Sequence, residues 1–245
     1  MKAMTIGLLA ILAAAPAAAD PALAPFVAAY DVRYGRMAVG TSRTELAETN
    51  GHWTLETTST ASGFARVIAS GTLRQRSEFD LHGDAPRPQR YAFDDGTART
   101  GRDVALEFDW RAGRVRGTAE DEPVDLATVE GLQDAASMQA LVLARLRAGR
   151  EPGMIPMIEK DKVKYYRYTL LRRETLRTAL GDVETVVYRS ARDGSDRETL
   201  TWHAPKLGFV AVQAEQRVDG RRGFQTYIRS FEGGSAEGDV HFQQR

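Results

Sequence analysis

The chain has 245 residues, and its 33 Lys and Arg residues balance 33 Asp and Glu residues, so the formal net charge is zero. This neutrality argues against a nucleic-acid-binding protein that works through bulk positive charge. The absence of cysteine excludes disulfides, thiolate nucleophiles and cysteine-ligated metal sites, and the 42% hydrophobic content is typical of a folded globular protein.

The first 19 residues have the pattern of a secretory signal peptide. Lys2 supplies the positive n-region, residues 6–15 form the apolar h-region, and Ala17-Ala18-Ala19 is a small-residue cleavage site before Asp20. The apolar run is shorter than the roughly 20 residues that a membrane-spanning helix needs. We therefore expect cleavage between Ala19 and Asp20, no transmembrane segment in the mature chain, and a periplasmic location in a bacterium with two membranes.

The dominant pattern in the mature chain is alternation of apolar and polar residues with a period of two, which is typical of strands. The clearest examples are residues 26–34, 104–110, 183–188 and 224–229, and the segments 64–81 and 162–180 are long enough for bent or paired strands. Turn-forming pairs such as Asn50-Gly51 and Asp219-Gly220 separate these runs. Such short connections predict an antiparallel sheet of about 10–12 strands.

One segment, residues 132–148, has a different pattern. It contains no Gly, Pro or aromatic residue and is rich in helix formers, with Asp134 as the predicted N-cap and Gly149 as the C-terminal stop. The middle of the segment is apolar nearly all round, which is typical of a helix buried on more than one side. The sequence thus predicts a mainly β protein, in which a single curved antiparallel sheet (a half-barrel or spiral-like barrel) wraps around one α-helix.

The domain organisation is predicted to be simple. The chain shows no internal repeat, and neither of its two short Pro- and Gly-bearing stretches is long enough to divide it. We expect one β-rich domain over residues 20–232. The weakly patterned segment 233–245 is expected to be a loose C-terminal tail.

The sequence contains no recognisable catalytic or metal-binding motif. The four histidines lack the close spacing of metal ligands, and we interpret them as surface residues: His52, His82, His203 and His241. Acidic groups such as Asp94-Asp95 lie in turn-like contexts, where solvated carboxylates are usual. We therefore expect no enzymatic activity, no metal and no cofactor, although a hydrolytic site assembled across the fold stays an alternative.

A basic, tyrosine-containing stretch runs from Lys160 to Arg177. The solvated face of a long strand is the simplest interpretation. Outside the cytoplasm, an anionic lipid head group, a polyanionic envelope polymer or a protein surface is a more suitable partner for such a stretch than nucleic acid. The candidate contacts for an anionic surface are Lys162, Lys164, Arg172 and Arg173.

Several short landmarks occur in order along the mature chain. They are Phe26, Tyr30, Val32, Tyr34 and Gly40, then Ser77-Glu78-Phe79, Pro88-Gln89-Arg90-Tyr91 and Phe108-Asp109-Trp110, and finally Gly131–Ser137, Glu174–Gly181 and Thr201–Pro205. Together they resemble the exported bacterial family known as domain of unknown function 3108. The resemblance implies a curved antiparallel sheet around one helix, similar to periplasmic lipoprotein carriers, with structural roles for Trp110, Trp202 and Asp134. It implies no catalytic residues.

These observations favour a non-enzymatic periplasmic protein of cell-envelope maintenance that binds an apolar or lipidic ligand, a lipoprotein or another partner protein. One alternative is a structural or interaction module whose sheet edge docks a partner without any small ligand. Another is a hydrolase that acts on an envelope polymer. Ligand binding inside the sheet requires that its concave face enclose a cavity, whereas a helix that fills this space would leave no room.

Overall fold

The computed structural model describes residues 22–63, 71–97, 101–235 and 238–242. The predicted signal peptide and its cleavage site lie outside these residues. Fifteen strands and one α-helix are present in the described part of the chain. The strands are β1 (Phe26–Tyr34), β2 (Met37–Thr49), β3 (His52–Ala61), β4 (Thr72–His82), β5 (Ala85–Asp94), β6 (Val104–Asp109), β7 (Arg114–Ala119), β8 (Glu122–Ala127), β9 (Met154–Glu159), β10 (Lys162–Thr178), β11 (Gly181–Ala191), β12 (Arg197–Ala204), β13 (Val210–Val218), β14 (Arg221–Ser235) and β15 (Gly238–Phe242).

All strands belong to one antiparallel sheet, as the alternating pattern predicts. The order is β8-β7-β6-β5-β4-β3-β2-β1-β14-β13-β12-β11-β10-β9, and β15 pairs with β14 outside this path. The number of strands exceeds the predicted 10–12 because six-residue strands such as β7, β8 and β9 carry too little alternation to be counted. The sheet is not closed by a ladder between β8 and β9.

Residues 238–242 lie in the segment that the sequence predicts to be a loose tail. They form β15, which pairs with residues 231–235 of β14. The ladder between β13 and β14 ends at Tyr227, whereas β14 continues to Ser235. Because β1 pairs with the opposite side of β14, the edge beyond Tyr227 is free to accept β15.

Hairpins connect most consecutive strands, so the turns alternate between two ends of the sheet. We call these ends the upper rim and the lower rim. The upper rim carries the turns at residues 35–36, 120–121, 160–161, 192–196 and 219–220, and the lower rim carries those at 50–51, 83–84, 110–113 and 179–180. At the upper rim, Lys160 Nζ lies 2.7 Å from Glu120 Oε2, which brings the β7–β8 and β9–β10 turns together.

The helix α1 (Ser137–Arg147) lies inside the sheet and is buried on two sides, as predicted. Ala140, Leu143 and Ala144 belong to the main core with residues from both halves of the sheet. Leu141 and Leu146 belong to a second cluster, which includes residues of β9 and β11. No helix among the described residues is long and apolar enough to span a membrane.

The space beside the helix is filled. The apolar pocket between Leu143, Leu207 and Phe231 has a volume of about 10 Å³, which is at the lower limit for one water molecule. The helix thus occupies this part of the space on the concave side of the sheet, which an apolar ligand would need.

Replacement of Leu143 tests whether the helix is part of the core. The Leu143→Ala variant should lose about 2–5 kcal/mol of unfolding free energy, because it leaves a cavity at a side chain that is 7% exposed. Urea denaturation followed by circular dichroism measures this loss. As a control, Leu171→Ala at a residue that is 44% exposed should change stability by less than about 1 kcal/mol. Equal stability of the two variants would contradict a core role for α1.

Candidate functional site

The basic stretch identified in the sequence forms β10, a strand of 17 residues. Its four predicted anion contacts fall into two groups. Lys162 and Lys164 lie in the part that pairs with β9, whereas Arg172 and Arg173 pair with β11. The groups are about eight residues apart, or roughly 25 Å along an extended strand. They do not come together as a single anion-binding pocket.

Arg172 has partners within the protein. Its Nε and Nη2 atoms donate to Glu174 at 3.0 and 2.9 Å, and its guanidinium lies 5.7 Å from the centroid of the Trp202 ring. The Trp202 indole also donates to Glu174, at 2.5 Å. Two hydrogen bonds lower the pKa of Glu174. The bond from Arg172 has the larger effect, and the bond from Trp202 has the next largest. This arrangement gives Arg172 a structural role in fixing Trp202.

β10 pairs with different strands along its length. Residues 162–167 pair with β9 and residues 167–178 pair with β11. On the β9 side, the Tyr168 backbone N–H donates to Gly153 at 2.8 Å. Beyond it, no strand in the described part of the chain pairs with this side of β10. Residues 169–178 therefore form a free strand edge of roughly 30 Å, which we call the β10 edge.

The β10 edge is held in place by the side chains of its hairpin. Leu176, Leu180 and Val183 pack against the main core. Arg173 and Arg177 are exposed, and neither has an ion-pair partner among the described residues. Leu171 lies at a break in the β10–β11 register and is 44% exposed. The acidic residues Asp182 and Glu184 lie on β11, so an incoming strand would meet β10 and its arginines first.

A larger groove lies over strands β3–β6, with an open volume of about 1120 Å³. Its charged side chains form a ladder of alternating sign across the strands. The ladder comprises the pairs Arg76–Glu56, Arg76–Glu78, Arg90–Glu78 and Arg90–Glu107, with separations of 3.0–3.8 Å. Since these charges face one another, the groove presents no surface of a single sign.

Asp134 is the predicted helix cap, and it is completely buried. The backbone N–H groups of Ala136 and Ser137 each donate to Asp134 Oδ1 at 2.8 Å, and the Ser77 hydroxyl donates to Oδ2 at 2.6 Å. In return, the Asp134 N–H donates to Ser137 Oγ at 3.0 Å, which completes a reciprocal capping arrangement. The helix begins at Ser137, two residues later than an N-cap at Asp134 predicts, because residues 132–136 form this turn and a bridge to β9.

The environment of Asp134 changes its acidity. Burial raises the pKa of Asp134 to about 6, although the hydrogen bonds from Ser77, Ser137 and Ala136 oppose the rise. Solvent has no access to the carboxyl group. Asp134 therefore has the surroundings of a structural group and not those of an exposed acid or base.

One of the predicted surface histidines is buried. His52 and His82 are exposed, and the side chain of His241 lies outside the described residues, but His203 is only 6% exposed. It lies on β12, where alternation brings it against Tyr188 at a ring separation of 6.2 Å. Its Nδ1 is 2.8 Å from the Phe209 carbonyl oxygen, and burial lowers the pKa of His203 to about 4. The imidazole is therefore neutral near pH 7, with Nδ1 as the donor.

Three carboxylates cluster near the β5–β6 loop, namely those of Asp94, Asp95 and Asp103. Each accepts a hydrogen bond from a backbone N–H in the same loop, at distances of 2.7–3.2 Å. These bonds match the turn role predicted for Asp94-Asp95.

The family described as "Protein of unknown function (DUF3108)" matches residues 29–223. No curated protein matches the chain. A solved beta-barrel-like protein of domain of unknown function DUF1849 from Brucella abortus is similar, with a TM-score of 0.56 and 9% identity over 86% of this chain and 98% of that chain. At this identity, the likeness concerns the fold alone.

Two further solved structures are less similar. A Parabacteroides distasonis protein has a TM-score of 0.35, with 9% identity over 85% of this chain and 95% of that chain. A Bacteroides fragilis protein with a YmcC-like fold has a TM-score of 0.33, with the same identity and coverage.

The Asp134→Asn variant tests the buried carboxyl group. Because folding raises the Asp134 pKa from 3.8 to about 6, its contribution to stability is present below pH 4 and lost as the pH rises to about 6. Asn cannot ionise, so the stability of the variant relative to the wild type should rise by about 3 kcal/mol over this interval. Urea denaturation between pH 4 and 7 measures the difference. A difference that does not vary with pH would contradict this assignment.

The His203→Gln variant should show the opposite dependence. Since folding lowers the His203 pKa from 6.5 to about 4, its contribution is present above pH 6.5 and lost as the pH falls to about 4. The stability of the variant relative to the wild type should therefore fall by about 3 kcal/mol as the pH rises across this interval. The same denaturation series measures it. A slope of the same sign as that of Asp134→Asn would refute the burial of a neutral imidazole.

Proposed function

This chain belongs to the DUF3108 family, whose function is unknown, and we propose that it is a non-enzymatic interaction module of the cell envelope. In this proposal, the β10 edge docks an extended acidic segment of a partner protein. The signal-peptide pattern of residues 1–19 supports a location outside the cytoplasm. The free strand edge is the observation that carries the proposal.

An unpaired strand edge offers a row of backbone donors and acceptors to another chain. Over residues 169–178, one side of β10 is hydrogen-bonded to β11 and the other has no partner strand among the described residues. An extended peptide can add to such an edge, where its main chain supplies affinity and its side chains supply specificity. The core contacts of Leu176 keep the edge extended before a partner arrives.

The side chains along the edge define the chemistry of the partner. Arg173 and Arg177 are exposed two and six residues beyond Leu171. Opposite charges on neighbouring strands stabilise a sheet by about 0.2–1 kcal/mol for each pair. A partner strand with acidic residues opposite the two arginines, and an apolar residue near Leu171, would therefore fit best.

A partner protein is better supported than an apolar ligand inside the sheet. The core contacts of α1 occupy the concave side, and the pocket beside Leu143 holds about 10 Å³. A drug-sized ligand needs roughly 300–1,000 Å³. The proposed contact therefore lies at the edge of the sheet.

Photo-crosslinking at Thr175 tests the proposal in the cells that naturally produce the protein. Thr175 is exposed in the middle of the β10 edge, and it is replaced by p-benzoylphenylalanine. Mass spectrometry of the adducts should identify a peptide rich in Asp and Glu from a different protein. Combined Arg173→Glu and Arg177→Glu substitutions should lower the adduct yield by about tenfold, which corresponds to about 1.4 kcal/mol.

Thr118 provides a matched control. It is an exposed threonine on β7, but β7 is paired on both sides, with β6 and β8. A photoreactive residue at Thr118 should give little adduct. Similar yields at Thr175 and Thr118 would refute docking at the β10 edge, as would adducts at Thr175 that contain only a second copy of this chain. If Thr175 gave no more adduct than Thr118, the arginines would serve to protect the edge against unwanted pairing.

A further inference from the structure

A second surface lies on the upper rim, where the β1–β2 and β13–β14 hairpins end side by side. Seven large hydrophobic residues are exposed in the described part of the chain, and four of them lie here. They are Tyr34 (51% exposed), Met37 (65%), Val218 (40%) and Phe224 (50%). We call this group the rim patch. The concentration of these residues at adjacent hairpin ends is what requires an explanation.

The rim patch is held together by contacts between its two hairpins. Tyr34 pairs with Phe224 across the β1–β14 ladder, and their rings meet edge to face with centroids 5.1 Å apart. The Gly35 backbone N–H also donates to the Gly223 carbonyl oxygen at 3.4 Å. The aromatic side chains are thus fixed in an exposed position and do not fold back onto the core.

Positive charge surrounds the rim patch. Arg33, Arg36 and Arg221 are exposed, and none of them has an ion-pair partner among the described residues. Arg33 instead lies 5.1 Å from the centroid of the Tyr227 ring.

The neighbouring acidic residues cancel only part of this charge. Arg222 is paired with Glu215 at 3.0 Å, and Asp31 is paired with Arg229 at 3.5 Å. Two further acidic residues near the patch are exposed, Asp219 in the β13–β14 turn and Asp196, whose carbonyl oxygen accepts from the Asp219 N–H at 3.0 Å. Three unpaired arginines therefore face two aspartates.

We propose that the rim patch binds the surface of an anionic lipid bilayer. Tyrosine and other aromatic side chains favour the boundary between head groups and acyl chains, and methionine and valine can enter its apolar side. Each arginine near an anionic surface strengthens the attraction to it. A protruding hairpin end that combines these residue types fits a flat, anionic and partly apolar surface. This contact is distinct from the β10 edge, which runs along β10 towards the lower rim.

Vesicle co-sedimentation tests the membrane contact with the exported, processed chain. Vesicles contain phosphatidylcholine alone or phosphatidylcholine with phosphatidylglycerol in a ratio of about 7:3. We expect binding to the anionic vesicles that weakens as the salt concentration rises from about 0.1 to 0.5 M, because salt screens exposed charges. Combined Arg36→Glu and Arg221→Glu substitutions should weaken binding by at least tenfold, or about 1.4 kcal/mol. Equal binding to both vesicle types, or none to the anionic vesicles, would overturn the proposal.

The variant with Arg173→Glu and Arg177→Glu is the matched control, since it has the same change of net charge at the β10 edge. It should bind anionic vesicles like the wild type, whereas the Arg36 and Arg221 variant should keep its Thr175 crosslinks. Equal loss of vesicle binding in the two variants would refute the rim patch as the contact. Measuring both variants in both assays also separates failure of the membrane contact from failure of partner docking.

Phe224→Trp gives an independent readout that keeps an aromatic side chain in place. On anionic vesicles, its fluorescence, corrected for the three natural tryptophans, should shift to shorter wavelength as the indole leaves water. No shift under conditions in which the protein sediments with vesicles would show that another surface makes the contact.

Discussion

The buried carboxyl group of Asp134 joins the helix to the sheet, and the arrangement of the core depends on it. One oxygen accepts from the backbone at the start of α1, and the other accepts from Ser77 on β4. The preceding residue, Gln133, donates its side-chain amide to Pro86 on β5, while its backbone bridges to β9. Two consecutive residues, Gln133 and Asp134, thus connect the helix to both halves of the sheet. A carboxyl group without these partners would be costly to bury, so the hydrogen bonds and the position of the helix support each other.

The two halves of the sheet differ in whether the unpaired backbone groups at their free edges have hydrogen-bond partners. On β5, Pro86 and Pro88 precede Arg90, the residue at which the ladder with β6 begins. Proline has no N–H, so only the carbonyl groups need partners. Gln133 donates to the carbonyl oxygen of Pro86 at 3.0 Å, and Trp110 donates to that of Pro88 at 2.6 Å. This edge is therefore satisfied from within. The β10 edge has neither prolines nor such donors among the described residues, and this contrast is why docking is assigned to it.

The local parts of the fold could be predicted from the sequence, and the non-local parts could not. Alternation and turn pairs gave the antiparallel sheet, and composition gave the helix, because both patterns are set by residues close in the chain. The burial of His203 depends on Tyr188 from a neighbouring strand. Tyr34 illustrates the same limit. Its alternation places it on one face with Tyr30, yet Tyr30 is 7% exposed and Tyr34 is 51% exposed, because β1 extends beyond the core.

The cationic residues of β10 were recognised in the sequence, but their division between two partner strands was not. A charge pattern cannot show which side of a strand is paired, since pairing is decided by strand order. The net charge of zero likewise does not show where unpaired charges lie on the surface. It reflects the cancellation of charges along ladders such as that of Glu56, Arg76 and Glu78, where each group faces its opposite. Arginines without such partners remain at the β10 edge and the rim patch. Because the net charge is zero, long-range steering is weak, and contacts at either surface must draw their strength from these few side chains at short range.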